Sequence, residues 1–189
     1  MALSNIALSS RALLKLGADT IASFDEGTAE AEIAANLYPS TRDALLSAHP
    51  WSFATAQATL ALLAAEPVAD FAYAFQLPAD FLRALSAGPS GRGRGLSYRI
   101  IERRRHTDTS DIILSYIFRP GESEFPPFFD QALIARLVAE FCIPLTESTS
   151  RAESLHKLAE AEFRRAKMID SQQDTPGRIE DFSLVEVRS

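Results

Sequence analysis

The chain has little cysteine and little histidine, no long apolar run and no excess of basic residues, and each shortage excludes something. Its single cysteine, Cys142, permits no disulfide within the chain, so nothing in the composition calls for an oxidising compartment. Lying beside the run Leu137-Val138-Ala139-Glu140-Phe141, it reads as a buried, inert thiol. The three histidines, His49, His106 and His156, are far apart, and none has a carboxylate or cysteine at a metal-ligand spacing. No metal and no cofactor are expected. No stretch approaches the ~20 apolar residues needed to cross a bilayer, so no membrane association is expected. Residues 1–15 mix apolar side chains with Ser4, Asn5, Ser9, Ser10 and Arg11, and read as an amphipathic helix rather than a signal peptide. The expectation is a protein made and assembled in a cytoplasm. With 19 Lys and Arg against 25 Asp and Glu, the net charge is −6. Neutralising phosphates needs the opposite balance, which argues against a general nucleic-acid binder but leaves room for a local basic patch.

Catalytic patterns are also missing. Gly88-Pro89-Ser90-Gly91 lacks the spacing of a nucleophile elbow. Gly91-Arg92-Gly93-Arg94-Gly95 is followed by neither a dinucleotide fingerprint nor the Lys-Ser/Thr of a phosphate loop, and reads as an exposed, permissive loop. Asp25-Glu26 and Glu180-Asp181 fall at a helix start and in the tail, where capping and solubility account for them. The chain is not expected to be an enzyme.

The residues that are present describe helices. Ser4 suits the cap of a helix over 4–16, with Leu3 and Leu8 as a hydrophobic staple, and Gly17 supplies the stop. Thr28 caps a second helix, 28–48, whose first turn carries Glu30 and Glu32. Pro39 predicts a kink or break near Tyr38. After Pro126-Pro127, the fourfold spacing of Phe129, Leu133, Leu137, Phe141 and Leu145 marks a helix over 127–145, broadly buried because Ile134 and Val138 widen the stripe. Ser150 and Glu153 fit a capping box opening a helix over 151–170. Between these pairs, 51–119 contains β structure. The runs 98–101 and 111–118, separated by polar residues 106–110, predict a hairpin. Residues 171–189 read as an extended tail holding a short β-capable segment, Phe182 to Val187. The layout predicts a mainly α fold, a bundle of about four helices with an inserted β-hairpin region and an extended C-terminal arm. One domain, 1–170, accounts for everything before the tail.

Two features resist a purely structural reading. Arg92, Arg94, Arg99, Arg103, Arg104 and Arg105 all fall in or beside the predicted hairpin of an otherwise acidic protein. Solvated loop charge is one explanation; an acidic neighbouring subunit or passing DNA backbone are the others. In the tail, Phe182, Leu184, Val185 and Val187 lie beyond a polar linker. Strand addition to a partner's sheet edge would satisfy them, as would packing on their own domain.

Further motifs point to a family. A first helix ends in Leu16-Gly17 and leads to the turn from Ile21 to Gly27. An alanine-rich helix runs into Trp51-Ser52-Phe53. Phe75-Gln76-Leu77-Pro78-Ala79-Asp80-Phe81-Leu82 corresponds to a Tyr-x-x-Pro-x-Asp-Phe/Tyr-Leu pattern, with Phe75 in place of the Tyr, and Phe128-Phe129 opens a long helix. In this order the chain, up to about Asp170, resembles the tail tubular protein A group of short-tailed phages and the head–tail adaptors of tailed phages and gene transfer agents. The resemblance implies a homo-oligomeric ring, a dodecamer, at the neck of a virion or particle. Its partners would be the portal protein and the next tail component, with DNA passing non-specifically through the lumen. It carries over no catalytic residue. It places the arginines from Arg92 to Arg105 and the segment Phe182 to Val187 at subunit interfaces, although the tail from Ser171 matches no family motif. An acidic channel wall suits DNA that must slide. The competing expectation is a DNA-binding accessory protein using the arginine-rich hairpin.

Overall fold

A computed structural model describes residues 3–65, 67, 70–88, 98–101, 103–110 and 112–173. In chain order the elements are α1 (Asn5–Leu16), α2 (Ala29–Ala48), β1 (Thr55–Thr59), β2 (Tyr73–Gln76), β3 (Phe81–Gly88), β4 (Tyr98–Ile101), β5 (Arg104–Thr107), β6 (Ile113–Phe118), α3 (Pro127–Thr146) and α4 (Thr149–Asp170). Short 3-10 turns at Ser52–Ala54 and Glu122–Glu124 precede β1 and α3.

The helix ends follow local chemistry. Ser4 Oγ accepts from the Ala7 amide at 3.2 Å. At the other end of α1 Gly17 takes a left-handed φ of +83°. Its amide reaches the Leu14 carbonyl and that of Ala18 reaches Leu13, each at 3.1 Å, so a Schellman motif satisfies two carbonyls the helix leaves open. Ser10 Oγ then holds both backbone groups of Ile21, accepting at 3.2 Å and donating at 3.1 Å. The Glu26 carboxylate accepts from the Ala22 and Ser23 amides and from Thr28 Oγ. These bonds favour its ionised form and lower its pKa. Thr28 in turn caps α2.

Two helix expectations need correction. Of the kink or break expected at Pro39, the break is corrected, since α2 continues as one helix to Ala48. A proline removes one backbone donor, and here burial of the adjacent Tyr38, with its hydroxyl on Glu122 at 3.1 Å, offsets that loss. α4 is capped by Ser148 rather than Ser150; Ser148 Oγ accepts from the Arg151 amide, and Ser150 already lies inside the first turn.

The mainly α expectation is overturned. About 51% of the described residues are helical and 20% are strand, and the strands form two three-stranded antiparallel sheets, an α+β arrangement rather than a helical bundle with one hairpin. The first sheet has the order β1-β6-β3 and the second β2-β5-β4. The predicted pairing of 98–101 with 111–118 is also corrected. β4 pairs with β5, from Tyr98↔Thr107 to Ile101↔Arg104, while β6 pairs with β1 and β3.

Burial explains this division. β6 is the central strand of its sheet, and its alternating side chains enter two different cores. Ile117 packs into the core built from all four helices, whereas Leu114 and Tyr116 enter a second core with Leu60, Phe75, Leu77, Ala87 and Ile112. A strand buried on both faces has no solvent side, so it cannot be half of an exposed hairpin. The helical core centres on Trp51, which is fully buried. Its indole N–H donates to the Leu45 carbonyl at 3.1 Å, and its ring meets Phe129 and Phe163 edge to face at 5.1 and 5.7 Å.

Candidate interaction surface

Of the ten residues singled out for partner contact, Arg92, Arg94, Phe182, Leu184, Val185 and Val187 lie outside the described residues. The other four lie on the β4–β5 hairpin, but not as one basic patch. Arg99 projects outward and pairs with Asp70 at 3.3 Å, an exposed ion pair that contributes little to stability. Arg103 occupies the hairpin turn with a φ of +59°, and its guanidinium donates to the Pro78 and Ala79 carbonyls at 3.4 and 3.2 Å. Arg104 is exposed.

Arg105 is different. Because strand side chains alternate, it shares a face with its cross-strand neighbours Phe75 and Ile100, opposite to Arg104. That is the inner face. Arg105 is fully buried, and its guanidinium carbon lies 3.8 Å from the centroid of the Tyr98 ring. No hydrogen-bond acceptor meets any of its three guanidinium nitrogens among the described residues. Burial pulls its pKa below the ordinary arginine value. The hairpin therefore divides its arginines among a turn, an outer face and a buried face.

Sequence reasoning treated these strands as carriers of charge and passed over what else is on them. Tyr98, Ile100 and Ile101 are each 40% exposed. Among the described residues β4 pairs only with β5, so its outer edge carries unpaired backbone groups beside three apolar side chains. The signal available in the sequence was the Ile100-Ile101 pair itself, in a segment too short to bury both faces. A second surface lies on the helices. A groove of about 440 Å³ runs between α2, α3 and α4, with Leu37, Thr41, Leu45 and Phe163 on its walls. At its rim Arg136 reaches Glu140 at 2.8 Å and Glu160 at 3.8 Å.

One cluster has the composition of a catalytic triad without its wiring. Asp170, at the end of α4, accepts from Ser52 Oγ at 2.6 Å and lies 3.5 Å from His49 Nε2. In a triad the imidazole stands between serine and carboxylate and takes the serine proton. Here the carboxylate is in the middle, so the serine hydroxyl is not directed at a base. Burial holds His49 below the ordinary histidine value. The cluster is a structural clasp between the end of α4 and the turn before β1.

Among the described residues no three His, Cys, Asp or Glu side chains gather in a way that would hold a metal ion. No helix among them is long and apolar enough to cross a membrane. No known family pattern matches the chain, and comparison with curated proteins brings out no similar sequence.

Proposed function

We propose that the chain is a structural subunit that assembles with copies of itself into a ring, acting as a head–tail adaptor between the portal and the next tail component of a tailed phage or gene transfer agent. The observation that carries this reading is the open edge of β4. Apolar side chains at Tyr98, Ile100 and Ile101 flank a row of backbone groups unpaired among the described residues, and strand edges of this kind gain free energy by pairing with another chain.

The motif order also supports it. The residues that carry the resemblance sit at positions that determine the fold: Gly17 in a left-handed cap, Trp51 and Phe129 at the centre of the helical core, and Phe81 at the start of β3 beside Tyr116. Such residues specify a scaffold rather than a reaction. A rival DNA-binding role is weakened by the arginine arrangement. Sequence-independent binding needs several free cations on one face, and of the four described hairpin arginines one is buried, one is bonded to backbone carbonyls and one is paired with Asp70.

Native mass measurement of the purified protein, with and without portal rings, tests the proposal. A closed ring alone, or one that forms on the portal, is expected. Binding to duplex DNA that weakens steeply with salt, without any ring under either condition, would favour the accessory role instead.

A further inference from the structure

The groove between α2 and α4 and the outer face of α4 complement each other. Both helices pack against α3, and the space left between them is walled by Leu37, Leu45 and Phe163. Its α2 side presents Ser40, Ala44 and Ala48, small, exposed and spaced every four residues, so nothing bulky keeps a second helix out. At the rim one cation faces two carboxylates. Arg136 holds Glu140 at 2.8 Å, while Glu160 lies 3.8 Å away with its side chain 59% exposed. Among the charged residues lining this apolar groove, one negative charge is therefore left uncompensated.

Along the outside of α4, Ser154, Leu158, Ala161, Arg165 and Met168 recur at alternating steps of four and three, and all are exposed. That spacing is the seam one helix offers to another. A single exposed leucine needs no explanation. Leu158 and Met168, 62% and 59% exposed, instead share a seam with Arg165, which has no ion-pair partner among the described residues. Lys157 and Arg164 flank the seam, and no carboxylate lies on it. At about 3.6 residues per turn, it runs along the side of α4 opposite to Ala159, Glu160 and Phe163, which face the groove. One helix thus carries a ridge on one side and a groove wall on the other.

We propose that the outer ridge of α4 in one copy docks into the α2–α4 groove of a second copy, with Leu158 against the apolar walls and Arg165 at Glu160. The contact rests on the ring-subunit reading above and uses a surface other than the β4 edge. Charge selects the occupant, because every charge on and beside the ridge is positive where the rim is short of a cation. Ridge and groove lie on opposite sides of α4, so the contact is head to tail. Each copy then uses both surfaces, and repetition gives a closed ring or an open filament rather than a two-fold dimer.

The test uses the full chain as wild type, Leu158→Gln, Arg165→Glu, Glu160→Arg, Ala44→Trp and the double variant Glu160→Arg/Arg165→Glu. Self-association is followed by sedimentation, alone and with portal rings. All four positions are exposed, so each variant, when dilute, should melt with the wild type. Each single variant is expected to weaken association about tenfold or more, Ala44→Trp by filling the groove and the charge reversals by placing like charges together. The double variant restores opposite charges across the contact and should recover most of that loss. A double variant no stronger than its singles shows that the two charges do not meet, which overturns the inference. Loss in Ala44→Trp without loss in Leu158→Gln and Arg165→Glu shows a different occupant in the groove and overturns it as well. Wild-type association by every single variant overturns the inference while leaving a ring built through the β4 edge standing. A wild type that associates neither alone nor on portal rings removes both.

Discussion

Asp170 and Ser52, 118 residues apart, are joined by three hydrogen bonds. The carboxylate accepts from the Ser52 amide at 3.1 and 3.2 Å and from its hydroxyl at 2.6 Å. Asp170 is 4% exposed, so these bonds replace most of its hydration, and through them the end of α4 caps the turn that leads into β1. The clasp fixes the helical core against the first sheet.

Replacing Asp170 with alanine leaves the Ser52 amide and hydroxyl without their acceptor. We expect a loss of about 3 kcal/mol in urea unfolding, since bonds to a charged acceptor are the stronger kind. Ser52→Ala removes only the hydroxyl and should cost about 1 kcal/mol. Equal losses from the two would show that the amide contributes nothing.

Trp51→Ala empties the centre of the aromatic cluster and should cost roughly 4 kcal/mol, in the range of large cavity-forming substitutions. Because Trp51 is the only tryptophan, circular dichroism rather than fluorescence must follow the unfolding. A cost below about 1 kcal/mol would contradict its placement at the core.

Asp130 titrates against the fold. It is 8% exposed, its Oδ1 has no hydrogen-bond partner among the described residues, and burial raises its pKa although Arg11 opposes the shift. A carboxyl whose folded pKa is raised stabilises the fold below its unfolded value, about 3.9. That stability is lost as pH rises through the folded value. Asp130→Asn should therefore raise stability at pH 7 by about 1 kcal/mol, and the gain should vanish near pH 3. Loss of stability at pH 7 would mean that the helix N-terminus and Arg11 outweigh burial.

Asp43 links α2 to the end of β6. It accepts from Arg119 through Nε at 3.0 Å and Nη2 at 2.5 Å, and from Arg42 Nε at 3.0 Å. The geometry is bidentate but partly exposed, so a double-mutant cycle between Asp43→Ala and Arg119→Ala should give a coupling of about 1 kcal/mol that falls with added salt. Zero coupling at low salt would show that the pair is decorative.

The helical half was legible because its signals are local. Ser4 and Thr28 announced their caps, Gly17 its stop, and the spacing of Phe129, Leu133, Leu137 and Phe141 a buried face; all four are buried. The sheets were not legible, because their strands lack the alternation that marks a half-buried strand. β1 reads Thr-Ala-Gln-Ala-Thr, and β3 carries register shifts at Phe81/Arg83 and Ala84/Ser86 that interrupt its period. β6 is apolar on both faces, which shows that a strand exists but not which strands pair with it. The inward turn of Arg105 depends on register, and no local pattern reports which of three consecutive arginines points to the core.

The chain is proposed above to be a ring subunit at a particle neck. Electron microscopy of particles containing the protein tests it most directly. A ring of this chain on the portal axis, with β4 of each copy against its neighbour, is expected. A protein absent from the neck and monomeric both alone and with portal rings would contradict it.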